Sequence, residues 1–124
     1  SPRGTAMHVP SHPTLIRRMR DSRLKQLVPA GPVLAASLAQ VNKRCGQPSC
    51  SCHHGGPLHQ AHHLTFREAG KTRTVYVPQE LLDEVRSWVQ EHQRLKAVIQ
   101  EVSQLTLALI QGHVQDRRRR RGRP

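Results

Sequence analysis

Phe66, Tyr76 and Trp88 are the only aromatic residues in this chain of 124 residues. Large rings supply much of the core area of a small fold, so the core here must be modest and something else must help to hold it. Hydrophobic residues make up only 35% of the sequence, which points to a bound metal or self-association as the supplement. Acidic residues are scarce too, 8 against 20 lysines and arginines, for a formal net charge of +12 at neutral pH. That imbalance implies attraction to polyanions, above all nucleic acid. No apolar run approaches a membrane span, and no basic-then-apolar leader precedes a small-residue cleavage site. The composition reads as that of a soluble cytoplasmic protein with no membrane partner.

Cysteine is equally sparse, and all 3 cysteines fall in Cys45-Gly46-x-x-x-Cys50-x-Cys52. An odd count argues against a disulfide framework and for a reducing compartment. Thiolate sulfur and imidazole nitrogen suit Zn²⁺, and Cys45, Cys50, Cys52 and His59 would fill its tetrahedral shell, leaving no position for a catalytic water. Such a site stabilises a fold. Gly46 is expected to let the loop turn back toward the sulfur, and Pro48 to restrict it. His53 and His54 are rivals for the fourth position. His59 is preferred because it follows Gly55-Gly56-Pro57, a turn able to return the chain across the ion.

Along the chain, residues 1–13 carry three prolines and read as a disordered tail. Thr14 is the expected N-cap of a short basic helix with Leu15, Ile16, Met19, Leu24 and Leu27 as its stripe and Arg17, Arg18 and Arg20 exposed. Pro29-Ala30-Gly31-Pro32 closes it. A strand is expected near 37–44, leading into Cys45. Residues 61–67 and 72–77 are rich in β-formers and flank Glu68-Ala69-Gly70-Lys71, which reads as a hairpin. Leu64 and Phe66 should meet Val75 and Val77 on one face, leaving Arg67, Lys71, Arg73 and several threonines and histidines as a phosphate-binding surface. Residues 14–78 thus form a basic helix plus a zinc-loop and β-hairpin domain.

From Pro78 a helix is expected to about Gly112. Leu81, Val85, Trp88, His92, Leu95, Ile99, Val102, Thr106 and Leu109 recur in alternating steps of four and three, the heptad seam of a parallel coiled-coil homodimer. Leu82, Val89, Val98 and Leu105 widen the stripe enough for a second contact. Beyond it, residues 113–124 hold Arg117, Arg118, Arg119, Arg120 and Arg121, a run expected to stay disordered until a polyanion neutralises it. The fold class is therefore α+β: a small zinc-stabilised β-hairpin domain, a short basic N-terminal helix and a long C-terminal coiled-coil-type helix.

Gly31-Pro32-Val33-Leu34, Ser37-Leu38, Arg44 through Cys52, His59 and Gly70 through Pro78 together resemble a family of short, functionally uncharacterised bacterial proteins, some encoded beside transposases. The resemblance spans about residues 24–105 and supports grouping Cys45, Cys50, Cys52 and His59, but implies no activity. Where that family usually carries Gly-Pro and two tyrosines after the histidine, this chain has Gln60-Ala61-His62-His63. The first hairpin strand is thereby poor as an aromatic stacking platform, and Phe66 and Trp88 read as core. No carboxylate forms a compact motif with histidine, so no enzyme is expected. The expected function is non-enzymatic nucleic-acid binding to DNA or RNA through the phosphate backbone; the alternative is a scaffold engaging a transposase-like protein.

Overall fold

A computed structural model describes residues 7–122. The first part of the expected 1–13 tail, residues 1–6, and the last two positions, 123 and 124, lie outside the described residues. In order, the elements are helix α1 (Pro13–Leu24), strands β1 (Ser37–Lys43), β2 (His59–Glu68) and β3 (Lys71–Val77), and helix α2 (Leu82–Arg121), with single 3-10 turns at Ser51–His53 and Gln79–Leu81. The three strands form one antiparallel sheet in the order β1-β2-β3. The α+β class expected from the sequence is the architecture observed. The described chain divides into two compact units: Ala30–Gln93, and the residues up to Pro29 together with those from Arg94 onward.

In the first unit, the β2–β3 connection is a two-residue turn. Ala69 has φ +52° and Gly70 has φ +79°, and Glu68 pairs with Lys71. Positive φ at both central positions is the primed turn whose twist suits a hairpin. Glycine adopts it freely, whereas an L-residue such as Ala69 does so at a cost of about 1–2 kcal/mol. Ala69→Asn, which tolerates this conformation, is expected to raise unfolding stability by about 0.5–1 kcal/mol, read as a shift in urea midpoint without a change in slope.

That turn fixes the register, and with it the two faces of the sheet. Leu38, Leu64 and Val75 line up across the strands, as do Gln40, His62 and Val77. This face packs on the start of α2, where Leu64, Val77, Leu82, Val85 and Val89 form a buried core and Leu34, Ala36, Leu38 and Trp88 pack around it. The Leu34 amide donates to the Trp88 carbonyl at 3.1 Å, tying the segment ahead of β1 to the helix. Val75 at the edge stays about half exposed.

In the second unit, α1 runs antiparallel to the later part of α2. Arg23, near the end of α1, bonds Glu101 at 2.6 Å, while Pro13 and Ile16 at its start line a cavity with Ala108, Leu109 and Gly112. Ile16, Val98 and Leu105 are buried. Arg94 donates to the carbonyls of Gln26 and Val28 at 2.8 and 2.9 Å, anchoring the chain that leaves α1.

Three expectations about the helices change. The cap of α1 is not Thr14 but His12, whose ring nitrogen accepts from the Thr14 amide at 3.2 Å, with Pro13 as the first helical residue. Proline suits that position, since its missing N–H would have no helical partner. Of the expected stripe on α1 only Ile16 is buried, while Leu15 and Leu24 are exposed. Helix α2 passes through Gly112 and takes in all of Arg117–Arg121, where a disordered tail was expected. One glycine costs a helix only about 1 kcal/mol, and arginine is a good helix former that the dipole favours at a C-terminus.

Candidate metal centre

Strands β1 and β2 end their pairing at Lys43 and His59, so the residues between them form a wide connection between antiparallel neighbours. Cys45 lies just past the end of β1, Cys50 and Cys52 bracket the start of the 3-10 turn at Ser51–His53, and His59 opens β2. A strand pair thus delivers the first and last of these side chains to one place, and the loop supplies the middle two. The three sulfurs and one ring nitrogen all lie within 4.8 Å of one another. Cys45 Sγ is 3.6 Å from Cys52 Sγ, and Cys50 Sγ is 3.2 Å from His59 Nε2. A tetrahedral ion with metal–sulfur bonds of about 2.3 Å has ligand–ligand edges of about 3.8 Å. These four residues could hold a metal ion with only small adjustments.

The loop is organised around the sulfurs. The Cys45 amide points at Cys52 Sγ at 3.4 Å, and the Cys50 amide donates to the Gln47 carbonyl at 3.1 Å. The backbone N–H of Cys52, followed by the His59 ring and the two other thiols, pulls the Cys50 thiol from 9.0 down to about 6. Burial pushes the Cys52 thiol up from 9.0, in keeping with its 1% exposure. A cation at the centre would reverse the second effect, since it favours the thiolate at every sulfur that it binds.

His53 and His54, the rival ligands, are engaged elsewhere. His53 Nε2 lies 2.7 Å from the Cys45 carbonyl and His54 Nε2 lies 3.0 Å from the Pro48 carbonyl. Both rings brace the loop from outside.

Gly46 does not have the structural part expected of it. Its φ is not left-handed, and a Cβ there would meet nothing within 4 Å. The constraint falls on the following glycine pair. Gly55 has φ +82°, and a Cβ on Gly56 would sit 2.6 Å from the Ser51 carbonyl oxygen, which accepts from the amides of His54 and Gly56 at 2.9 and 2.7 Å. Gly56→Ala is expected to cost about 1–3 kcal/mol through this collision and Gly46→Ala close to nothing, as compared by urea denaturation of the two variants.

The basic residues proposed from sequence do not form one surface. Successive strand residues point to opposite faces, and Arg67 pairs with Thr72 while Arg73 pairs with Phe66. Arg67 therefore shares a face with Thr65, Thr72 and Thr74, whereas Arg73 and Lys71 lie on the other face with Glu68, to which Arg73 comes within 3.8 Å. On α1, Arg17 and Arg18 are exposed, and Arg20 pairs with its neighbour Asp21 at 3.2 Å. Arg117, Arg118, Arg119, Arg120 and Arg121 are all exposed on α2.

The heptad residues divide in the same way. Val85 is buried in the core under the sheet and Trp88 packs against it. Leu81, Ile99 and Thr106 are exposed, and His92, Leu95, Val102 and Leu109 are half-buried. The stripe read as a wider margin, Leu82, Val89, Val98 and Leu105, is the one that is buried throughout.

Residues 14–87 match the family described as a domain of unknown function, DUF6788. The chain belongs to that family. The match takes in α1 from its second residue, the sheet, the whole cysteine loop and the first residues of α2, and stops well short of the arginine run. Neither a curated protein nor a solved structure matches the chain. Among the described residues, no helix is long and apolar enough to cross a membrane.

Proposed function

We propose that this protein is a non-enzymatic, zinc-stabilised nucleic-acid-binding protein that holds its ligand mainly by the phosphate backbone. The observation that carries this reading is the extension of α2 through five consecutive exposed arginines, Arg117–Arg121. Consecutive helical residues are about 100° apart around the axis, so five guanidinium groups encircle the helix end and reach phosphates from any side. Phosphates neutralised by arginine release condensed counterions, which makes such binding strong at low salt and steeply salt-dependent. Zinc is the ion that three thiolates and one imidazole suit best. With four protein ligands it would build structure and leave no open position for chemistry.

The test is a fluorescence anisotropy titration of labelled duplex and single-stranded oligonucleotides with nuclease-treated protein at low salt. Absence of binding to both overturns the reading. Metal analysis of the same sample is expected to return one zinc per chain.

A second reading draws on Ile99, Leu107, Ile110 and Val114, each 40% exposed or more on the later part of α2. Apolar side chains of this kind suit a helical partner, either a second copy in a homodimer or a transposase-like protein for which this chain is an accessory of a mobile element. Light scattering after nuclease treatment separates this case, since a protein-mediated assembly survives the loss of nucleic acid.

A further inference from the structure

We propose that the sheet face turned away from the buried core is a binding surface for single-stranded nucleic acid, on which Tyr76 provides the ring for a stacked base. The proposal rests on the nucleic-acid reading above and narrows it to a ligand class. Strand alternation and the observed register put Lys43, His63, Thr65, Arg67, Thr74 and Tyr76 on this one face. The strands contain a single acid, Glu68, and it lies on the opposite face. The surface is thus cationic and hydroxyl-bearing, complementary to a sugar-phosphate chain by charge and by hydrogen-bond donors.

Its one aromatic ring, Tyr76, stands on the edge strand β3 beside His63 of the central strand. Tyr76 is 57% exposed in a chain that has only three aromatic rings to spend on its core. The ring is held from one side by the edge of His63, with centroids 6.2 Å apart and planes at 69°. The ring is accessible and has a neighbour on one side, so a base can stack on its open face.

The pair of positions at His63 and Tyr76 lies midway along β2. His59, opposite Lys43, is four residues away on one side, and Arg67, opposite Thr72, is four residues away on the other. At about 3.3 Å per strand residue, Lys43 and Arg67 are displaced roughly 13 Å along the strand direction to either side of Tyr76, Lys43 two strands across on β1 and Arg67 with its guanidinium on the Gly70 carbonyl at 2.9 Å. That length is comparable to the short end of single-strand sites, about four nucleotides. A duplex keeps its bases stacked on one another and offers Tyr76 nothing, so this face adds affinity only for unpaired strands. The arginine run serves both forms alike.

The experiment compares short fluorescein-labelled oligothymidylate, oligouridylate and a DNA duplex of equal length, titrated by anisotropy with the full chain and with Tyr76→Ala and Tyr76→Phe. Tyr76→Ala is expected to weaken both single strands about tenfold, as stacking on one ring implies, and to leave duplex affinity within about twofold; Tyr76→Phe keeps the single-strand affinity. A bromouridine-substituted strand irradiated with the wild-type protein is expected to crosslink to the peptide that carries Tyr76. Equal single-strand binding by wild type and Tyr76→Ala, or parallel losses on strand and duplex, overturns the proposal, as does crosslinking confined to the arginine run. If the wild-type chain binds neither form, the nucleic-acid reading itself falls; if it binds both without regard to Tyr76, only this face is excluded.

Discussion

A strong zinc chelator is expected to abolish the cooperative thermal unfolding of the sheet, and Cys52→Ser is expected to do the same without chelator. The core of this unit consists of five buried apolar residues, Leu64, Val77, Leu82, Val85 and Val89, which is little to set against the ordering of Ala30–Gln93. Structural zinc in small folds contributes roughly 10–16 kcal/mol of apparent binding free energy at neutral pH, as much as the entire net stability of a typical domain, about 5–15 kcal/mol. Removing it should leave the strands unpaired at room temperature, seen as lost strand signal in circular dichroism. Readdition of zinc restores the signal to the chelated wild type but not to Cys52→Ser. Cys50→Ser should be milder, because that sulfur is only half-buried while Cys52 is sealed from solvent. Acid acts in the same direction as chelator. Cys50 has its thiol lowered to about 6, so its contribution is complete above the ordinary value of 9.0 and is lost as pH falls through 6; protons also displace the ion from every sulfur. A metal-free protein that melts cooperatively at an unchanged temperature would refute the structural assignment.

Replacing Arg117–Arg121 together with glutamine is the second large effect. Each phosphate neutralised on duplex DNA contributes about 0.9 to the slope of log affinity against log salt. Full engagement of the run would therefore remove about 4.5 from that slope, and affinity at low salt would fall by about 10³-fold or more. Glutamine retains helix propensity, so the loss reports charge and not an unwound helix end. The control is Arg73→Gln, whose side chain is already close to Glu68 and which should change the slope by less than one. A slope that stays the same in the quintuple variant would move the phosphate contacts elsewhere and withdraw the main support for the proposed function.

The metal cluster and the hairpin were legible because each is written in local chemistry. Cys45, Cys50 and Cys52 are so close in sequence that any compact loop gathers them, and Glu68-Ala69-Gly70-Lys71 between two β-rich runs leaves few alternatives to a tight turn. The facing of the arginines was harder to see. A two-residue turn at Ala69 and Gly70 pairs odd positions of β2 with even positions of β3, so Arg67 and Arg73 had to part, but that parity follows only once the turn length is fixed. The cap of α1 was missed because an imidazole nitrogen accepts from Thr14 where a hydroxyl or carboxamide is the usual acceptor. The far end of α2 was hidden for a cooperative reason. A glycine such as Gly112 marks a stop when little follows it, yet within a helix of forty residues crossing one poor position costs less than ending there. Heptad spacing, finally, gives a periodicity but not the partner that each residue meets; Val85 fits the interchain seam and is used by the chain's own sheet.

A sheet of three strands in the order β1-β2-β3 has two margins whose backbone groups have no further strand beside them among the described residues. Such margins recruit identical chains into stacks unless something repels them. Here Lys43 lies on one margin, and Lys71 and Arg73 lie on the other, all exposed. Like charge at both borders opposes edge-to-edge pairing of identical copies, a repulsion set by side chains that the sheet's own core does not need.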